Sequence, residues 1–189
     1  MEAFAGVSCV PCFAEIEATA HVLDLGCGAG LDTLLVAEQA GSVLGVDFSE
    51  AMLSRAETSA RSMGLDNVEF RQGSAEAIPC ETGSIDVALV NGLFNLNPAR
   101  TEIFRELARV VHPGGLVFAA ELILNQPLAE EARRGEIDWF ARISGAKEGG
   151  SFLDEFRGAG FSGIEMLGRH SNPRSSNPHV EVAQVRARR

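Results

Sequence analysis

Short apolar runs separated by amphipathic stretches set the organisation of this chain. Residues 21–25 and 43–47 are apolar runs that carry an acid near or at their ends, Asp24 and Asp47. Runs of that length bounded by turn residues predict buried strands. Between them, 31–40 places Leu34, Leu35 and Ala37 at helical spacing and stops at Gly41, so a helix is expected there. Ser49 offers an N-cap to a helix reaching Met63, with Gly64 as its stop. Residues 67–72 and 84–90 predict a third and a fourth strand. Residues 98–111 predict a helix closed by Pro113-Gly114-Gly115. The fifth strand, 116–122, is nearly all apolar and so is expected to be buried on both faces. A helix over 151–159 stops at Gly160, a sixth strand covers 161–167, and 179–187 places Val180 and Val182, then Val185 and Ala187, on a closing strand.

Strands alternating with helices predict an α/β fold of Rossmann-like type, with a mostly parallel seven-stranded sheet and helices on both faces. The last two strands are joined without a helix, so the last strand is expected to run antiparallel. One domain over 1–189 accommodates all of this. In such a sheet, ligands sit beyond the carboxyl ends of the strands. Loops after parallel strands open on that side. The 121–150 segment is therefore expected to be a substrate lid, with 168–178 bordering it and the lead-in 1–20, loop plus a helical turn, near the mouth.

Chemistry concentrates in Val22-Leu23-Asp24-Leu25-Gly26-Cys27-Gly28-Ala29-Gly30. Glycines let backbone approach a ligand and adopt positive φ. The helix that follows offers unpaired N–H groups. Asp47 lies about 20 residues past the first glycine, where a nucleoside-binding α/β fold places its ribose-hydroxyl acceptor. The spacing is G-x-G-x-G rather than the dinucleotide G-x-G-x-x-G. Asp24 beside the loop would repel a pyrophosphate but suits a cationic or zwitterionic group. A ligand with adenosine at one end and an amino acid at the other satisfies both features, and S-adenosylmethionine is such a ligand.

The formal net charge of −10 argues against nucleic-acid or anionic-membrane partners. No apolar run is long enough to span a bilayer and no signal segment is apparent, so a cytoplasmic protein is expected. There is no tyrosine, which excludes a phenol base. The four cysteines are Cys9, Cys12, Cys27 and Cys80. Cys9 and Cys12 have redox or metal spacing, but no second pair completes a zinc site, and structural or incidental thiols are expected. No metal site is assigned. Cys27 fits the loop as a small side chain.

Several further residues fall on the ligand side. Phe48 and Met52 can pack on adenine or sugar, or serve the core. Ser74 and the Ala75 backbone follow the third strand, where an adenine amine would be read, and Ile78 can cover the ring. Asn91 ends the fourth strand, where its amide either positions substrate or caps the next turn. A base would be needed only for a hydroxyl or carbon acid. His170 and Glu121 are the candidates for it. His112 is expected to be solvated at its turn. Trp139 and Phe140 lie on the expected lid.

The glycine motif Asp24 to Gly30 with Asp47 resembles motif I of the class I S-adenosylmethionine-dependent methyltransferases. The resemblance extends over most of the chain, through Phe4-Ala5-Gly6-Val7, Asn91 with Asn95-Leu96, Pro113-Gly114-Gly115 and the 139–146 segment, to the arsenite-methyltransferase-related (methyltransferase type 11) branch. It implies a cofactor site of Asp24, Gly26, Cys27, Gly28, Gly30, Asp47, Phe48, Met52, Ser74, Ala75 and Asn91. That branch binds metalloid through separated cysteines. Cys9 falls near one of them, but Gly92 and Arg142 stand where the resemblance puts the other two. The cofactor site therefore carries over and the arsenite activity does not. Arg142 points instead to an anionic or polar small substrate.

The sequence thus favours in-line methyl transfer from S-adenosylmethionine to a small-molecule acceptor, with a homodimer left open. One rival is metalloid methylation through Cys9 and Cys12. Another, motivated by the short lead-in, is a non-catalytic S-adenosylmethionine-binding or partner protein. A dinucleotide oxidoreductase is disfavoured by the glycine spacing.

Overall fold

The computed structural model describes residues 7–127, 145–172 and 177–189. A 3-10 turn at Val10–Cys12 precedes β1 (His21–Leu25), α1 (Leu31–Ala37), β2 (Ser42–Asp47), α2 (Glu50–Met63), β3 (Val68–Gln72) and β4 (Ile85–Asn91). A second 3-10 turn at Phe94–Leu96 leads to α3 (Arg100–Val110) and β5 (Val111–Leu124). After the two-residue β6 (Lys147–Glu148) come α4 (Gly149–Gly158), β7 (Ser162–Ser171) and β8 (Val180–Arg188).

The sheet order is β3-β2-β1-β4-β5-β8-β7, with β6 added in parallel to β5. Strands β1 to β5 pair in parallel, and β8 runs against both of its neighbours. The expected mixed sheet is present, and the short β6 makes it eight-stranded rather than seven-stranded.

Two apolar layers explain why helices cover both faces. On one, Ile103, Phe104, Leu107 and Val110 of α3 and Phe152 and Phe156 of α4 pack on Leu23, Leu25, Ala88 and Val90. Phe94 stacks on Phe104 with centroids 4.6 Å apart, and Phe156 meets Phe104 edge-on at 4.8 Å. On the other face, Val36 and Ala37 of α1 join Val10, Val22, Val43, Leu89 and Phe118. Fully burying side chains of this size contributes roughly 1.5–3 kcal/mol each.

The boundaries differ from the sequence reading where pairing overrides local signals. Helix α1 ends at Ala37, ahead of Gly41. Strand β5 begins at Val111, directly after α3, because Val111 already pairs with Ile85. Pro113-Gly114-Gly115 is then an irregularity within the ladder, since Leu116 pairs with Val87. A Cβ on Gly115 would come within 2.8 Å of the Asp86 carbonyl oxygen, so only glycine fits there. Ser49 does not cap α2 through its side chain, whereas Gly64 does end it in the left-handed region at φ 69°. Residues 121–124 of the expected lid are strand, 147–148 are β6, and 149–158 open α4. Trp139, Phe140 and Arg142 lie outside the described residues, as do Phe4, Ala5 and Gly6. Among the described residues no helix is long and apolar enough to cross a membrane.

Candidate functional site

The carboxyl ends of β1, β2 and β4 converge on the glycine loop. Gly26, Gly28 and Gly30 all sit at positive φ, at 77°, 55° and 87°. The Gly26 N–H donates to the Val46 carbonyl at 2.8 Å, and Cys27 does so at 3.1 Å, which ties the loop to β2. A Cβ on Gly30 would lie 2.9 Å from the Ala56 Cβ, so α2 packs there only against glycine. A Cβ on Gly28 would meet nothing within 4 Å, so this glycine borders open space.

Asp47 is oriented by backbone. Gly28 N–H donates to its Oδ2 and Ser49 N–H to its Oδ1, both at 2.9 Å. Each oxygen keeps acceptor capacity after one such bond. A fixed carboxylate with spare lone pairs suits a vicinal pair of hydroxyls. Phe48 beside it is 78% exposed, which removes its core alternative. Met52 is half-buried on α2.

Asp24 lies beneath the loop, 2% exposed. It accepts a 2.5 Å hydrogen bond from Thr33 Oγ1. Burial, and next the neighbouring Asp32, raise its carboxyl pKa to about 7. Burial also raises Asp32, whose Oδ1 is buried and makes no hydrogen bond. Asp24 and Asp32 thus form a buried acidic pair beside the glycine loop. Burial foremost, and then Asp24, push the Cys27 thiol far up, so it stays neutral.

Asn91 does something the sequence did not suggest. Its Oδ1 accepts from Val7 N–H at 2.8 Å and Ser8 N–H at 3.3 Å. Its Nδ2 donates to the Ser8 carbonyl at 2.6 Å and to Asp32 Oδ2 at 2.7 Å. The amide therefore clamps the lead-in across the end of β4 rather than capping the next turn. Cys9 and Cys12 are joined in a disulfide, so they are not the free thiols expected.

The loop after β3 carries Ser74, Ala75 and Ile78. The exposed Ser74 hydroxyl donates to the Glu76 carboxylate, which also accepts from Asn97 Nδ2. Those bonds, Ser74 first, hold the Glu76 carboxyl below its ordinary range. Ala75 is half-buried beside it. Ile78 is buried in the α3-side core, with its N–H donated to Glu106 at 2.8 Å.

The two base candidates fare differently. His170 lies on β7, opposite Val182. It is exposed on the edge strand, three strand spacings or about 14 Å from the line of β4. The structure thus does not bring it to the loop. Glu121 is fully buried and accepts from Asn95 N–H at 3.1 Å and Leu122 N–H at 2.8 Å. His112 is not free at its turn but meets Asp86 at 3.0 Å.

The sequence reading missed Asp32, Thr33, Glu76 and Asn97, along with a buried support beneath β5. There Arg100 binds Glu155 at 2.6 Å and Asn95 Oδ1 at 2.8 Å, over the rings of Phe94 and Phe152. An early-helix acid and hydroxyl at 32 and 33, just past the glycines, were the only local signal for any of these.

A methyltransferase-domain family model matches residues 16–166. The chain belongs to that family. It is 31% identical over 161 residues to an arsenite methyltransferase of Halobacterium salinarum, covering 82% of this chain and 40% of that one. It is 39% identical over 103 residues to a demethylmenaquinone methyltransferase of Lactococcus lactis, covering 53% of this chain and 41% of that one. The chain thus spans less than half the length of these curated relatives. The crystal structure of an arsenic(III) S-adenosylmethionine methyltransferase from Chlamydomonas reinhardtii superposes with a TM-score of 0.81 at 27% identity, covering 98% of this chain and 67% of that one. Family and cradle agree on S-adenosylmethionine as cofactor. The open space at Gly28 and the acceptor capacity left on Asp47 fit a ligand that carries vicinal hydroxyls.

Proposed function

We propose that this methyltransferase-family chain transfers a methyl group from S-adenosylmethionine to a small-molecule acceptor. The observation that carries the reading is Asp47, held by Gly28 and Ser49 at the end of β2 with acceptor capacity left on both oxygens. When bound, the cofactor supplies an electrophilic methyl on a sulfonium.

The chain's own residues do the positioning. Asp47 accepts the ribose hydroxyls. Gly26, Cys27, Gly28 and Gly30 let the backbone approach the amino-acid end, and Asp24 supplies negative charge below it. Phe48 and Met52 flank the nucleoside, and Ser74 with Ala75 reads the adenine edge. Asn91 holds the lead-in over the opening. Asp24, Asp32 and Glu121 are buried and engaged with neighbours, so alignment of donor and acceptor is the protein's main contribution. That suits a thiol, amine or other nucleophile that needs no strong base. The charge of −10 disfavours a nucleic-acid acceptor.

A metalloid acceptor is the second reading, favoured by the arsenite methyltransferases among the relatives. Against it, Cys9 and Cys12 are bonded to each other and Gly92 follows Asn91.

The test is calorimetric titration with S-adenosylhomocysteine, followed by turnover of a panel of thiols, amines, quinols and trivalent arsenic. Micromolar binding with turnover of an organic acceptor supports the reading. Turnover of arsenic alone selects the second. Binding with no turnover of any acceptor would favour a non-catalytic binding protein.

A further inference from the structure

We propose that the Cys9–Cys12 disulfide is a reversible thiol–disulfide site whose state sets the affinity of the adjacent cofactor cradle. The inference rests on the cofactor site described above and not on the identity of the acceptor.

Accessibility comes first. Cys12 is exposed and Cys9 half-buried, with the two Cα atoms 5.4 Å apart across the 3-10 turn at Val10–Cys12. A dithiol reductant therefore reaches the Cys12 sulfur. Its thiolate bonds to Cys12 Sγ, the Cys9–Cys12 bond breaks, and Cys9 leaves as a thiolate that takes a proton. The second thiol of the reductant then displaces Cys12. Two electrons and two protons pass to the protein, and the reductant ends as its own disulfide.

Coupling to the site comes from the residues in and beside the ring. Val10, inside it, is fully buried against the α1 side of the sheet. Ser8, next to Cys9, exchanges hydrogen bonds with the Asn91 amide, and the same amide binds Asp32. Ser8 Oγ also accepts from Gln184 Nε2 at 3.0 Å. The disulfide loop is thus fastened to the end of β4, the neighbour of β1, and to the first turn of α1, which follows the glycine loop. A buried acid with one unpartnered oxygen, Asp32, lies under that fastening.

A short covalent loop limits the conformations open to 9–12 before the cofactor arrives. Opening it returns that freedom, which must be lost again on binding, so affinity falls. The expected loss is about three- to tenfold.

The experiment uses the whole chain in two buffers, one oxidising and one containing dithiothreitol. Alkylation followed by mass analysis reads the thiols at Cys9 and Cys12. Calorimetry with S-adenosylhomocysteine reads affinity, with Cys12→Ser alongside. The proposal expects thiols at 9 and 12 only after reduction, weaker binding in the reduced protein, recovery on reoxidation, and a variant fixed at the weaker value in both buffers. Equal affinity of the wild type in both buffers overturns it and leaves the cofactor site standing. Free thiols at 9 and 12 in the folded, unreduced protein also overturn it. Absence of binding in either buffer overturns this proposal and the cofactor reading together.

Discussion

The Gly28 N–H donates to Asp47 Oδ2 at 2.9 Å, so the loop that ends β1 and the acid that ends β2 form one unit. A ligand that displaced the carboxylate would have to break a charge-assisted bond to backbone. One that uses the remaining lone pairs finds a carboxylate already fixed by two backbone bonds. The first half of the sheet is in this sense arranged ahead of its ligand.

Asp47→Ala removes both backbone bonds and the acceptor for the ribose. Hydrogen bonds to charged groups contribute about 1.5–3 kcal/mol each, so affinity for S-adenosylhomocysteine should fall by about a hundredfold. Calorimetry reads the affinity, and a thermal melt of the same sample shows that the variant is folded.

Gly28→Ala and Gly30→Ala separate binding from stability. At Gly30 the added Cβ meets the Ala56 Cβ at 2.9 Å with φ at 87°. Left-handed backbone and overpacking together should cost about 2 kcal/mol or more, visible in denaturant melts. At Gly28 nothing of the protein is in the way. There the stability loss should be about 1 kcal/mol from conformation alone, while the affinity loss exceeds it because the methyl occupies the ligand's side.

Asp24 makes stability fall as pH rises. Its folded pKa, about 7, lies above its ordinary value of 3.8. Between those values the unfolded chain has released a proton that the folded chain keeps, so the acid's contribution weakens steadily and levels off above 7. The stability of wild type minus that of Asp24→Asn should therefore decline from pH 4 to pH 7, with a slope of at most about 1.4 kcal/mol per pH unit. Urea melts across that range check it, and a flat difference would contradict it.

Arg100→Met leaves Glu155 buried without its guanidinium partner. The pair is 2.6 Å apart with side chains 9% and 16% exposed. Loss of one member of a buried pair costs about 3–5 kcal/mol, and the loss here should fall below that range because Lys147 also meets Glu155 at 2.8 Å. Arg100→Lys should recover only part of this, because Arg100 uses both Nε and Nη2 on Glu155. Equilibrium unfolding of the two variants makes the comparison.

His170→Ala should leave kcat within about twofold, since the side chain stands on the exposed edge strand β7 and a remote general base has no reach to the reaction. A loss of a hundredfold or more, as expected for an essential base, would show that the imidazole reaches the acceptor.

The parts of the fold read best from sequence are those fixed by local rules. The glycines need positive φ, the apolar runs need two buried faces, and Asp47 stands at a strand end. What escaped reading depends on distant partners. Asn91 and Asp32 are 59 positions apart, and Arg100 and Glu155 are 55 apart, with no periodicity linking them. The sixth strand expected over 161–167 leaves His170 on the 168–178 loop. Pairing with β8 instead carries the strand through to Ser171. Pro113-Gly114-Gly115 looked like a terminator and is an irregularity within a longer strand, because Val111 was already paired.

The position of β8 has a consequence for biosynthesis. It follows β7 in sequence but lies between β5 and β7, and among the described residues β7 pairs with β8 alone. A chain emerging from the ribosome can assemble β1 to β4, with the glycine loop and Asp47, while β7 still waits for its partner. Gln184 reaches Ser8 only once β8 has docked, so the anchoring of the lead-in is completed last. The strands that carry the glycine loop and Asp47 therefore leave the ribosome before the strand whose Gln184 fastens the lead-in.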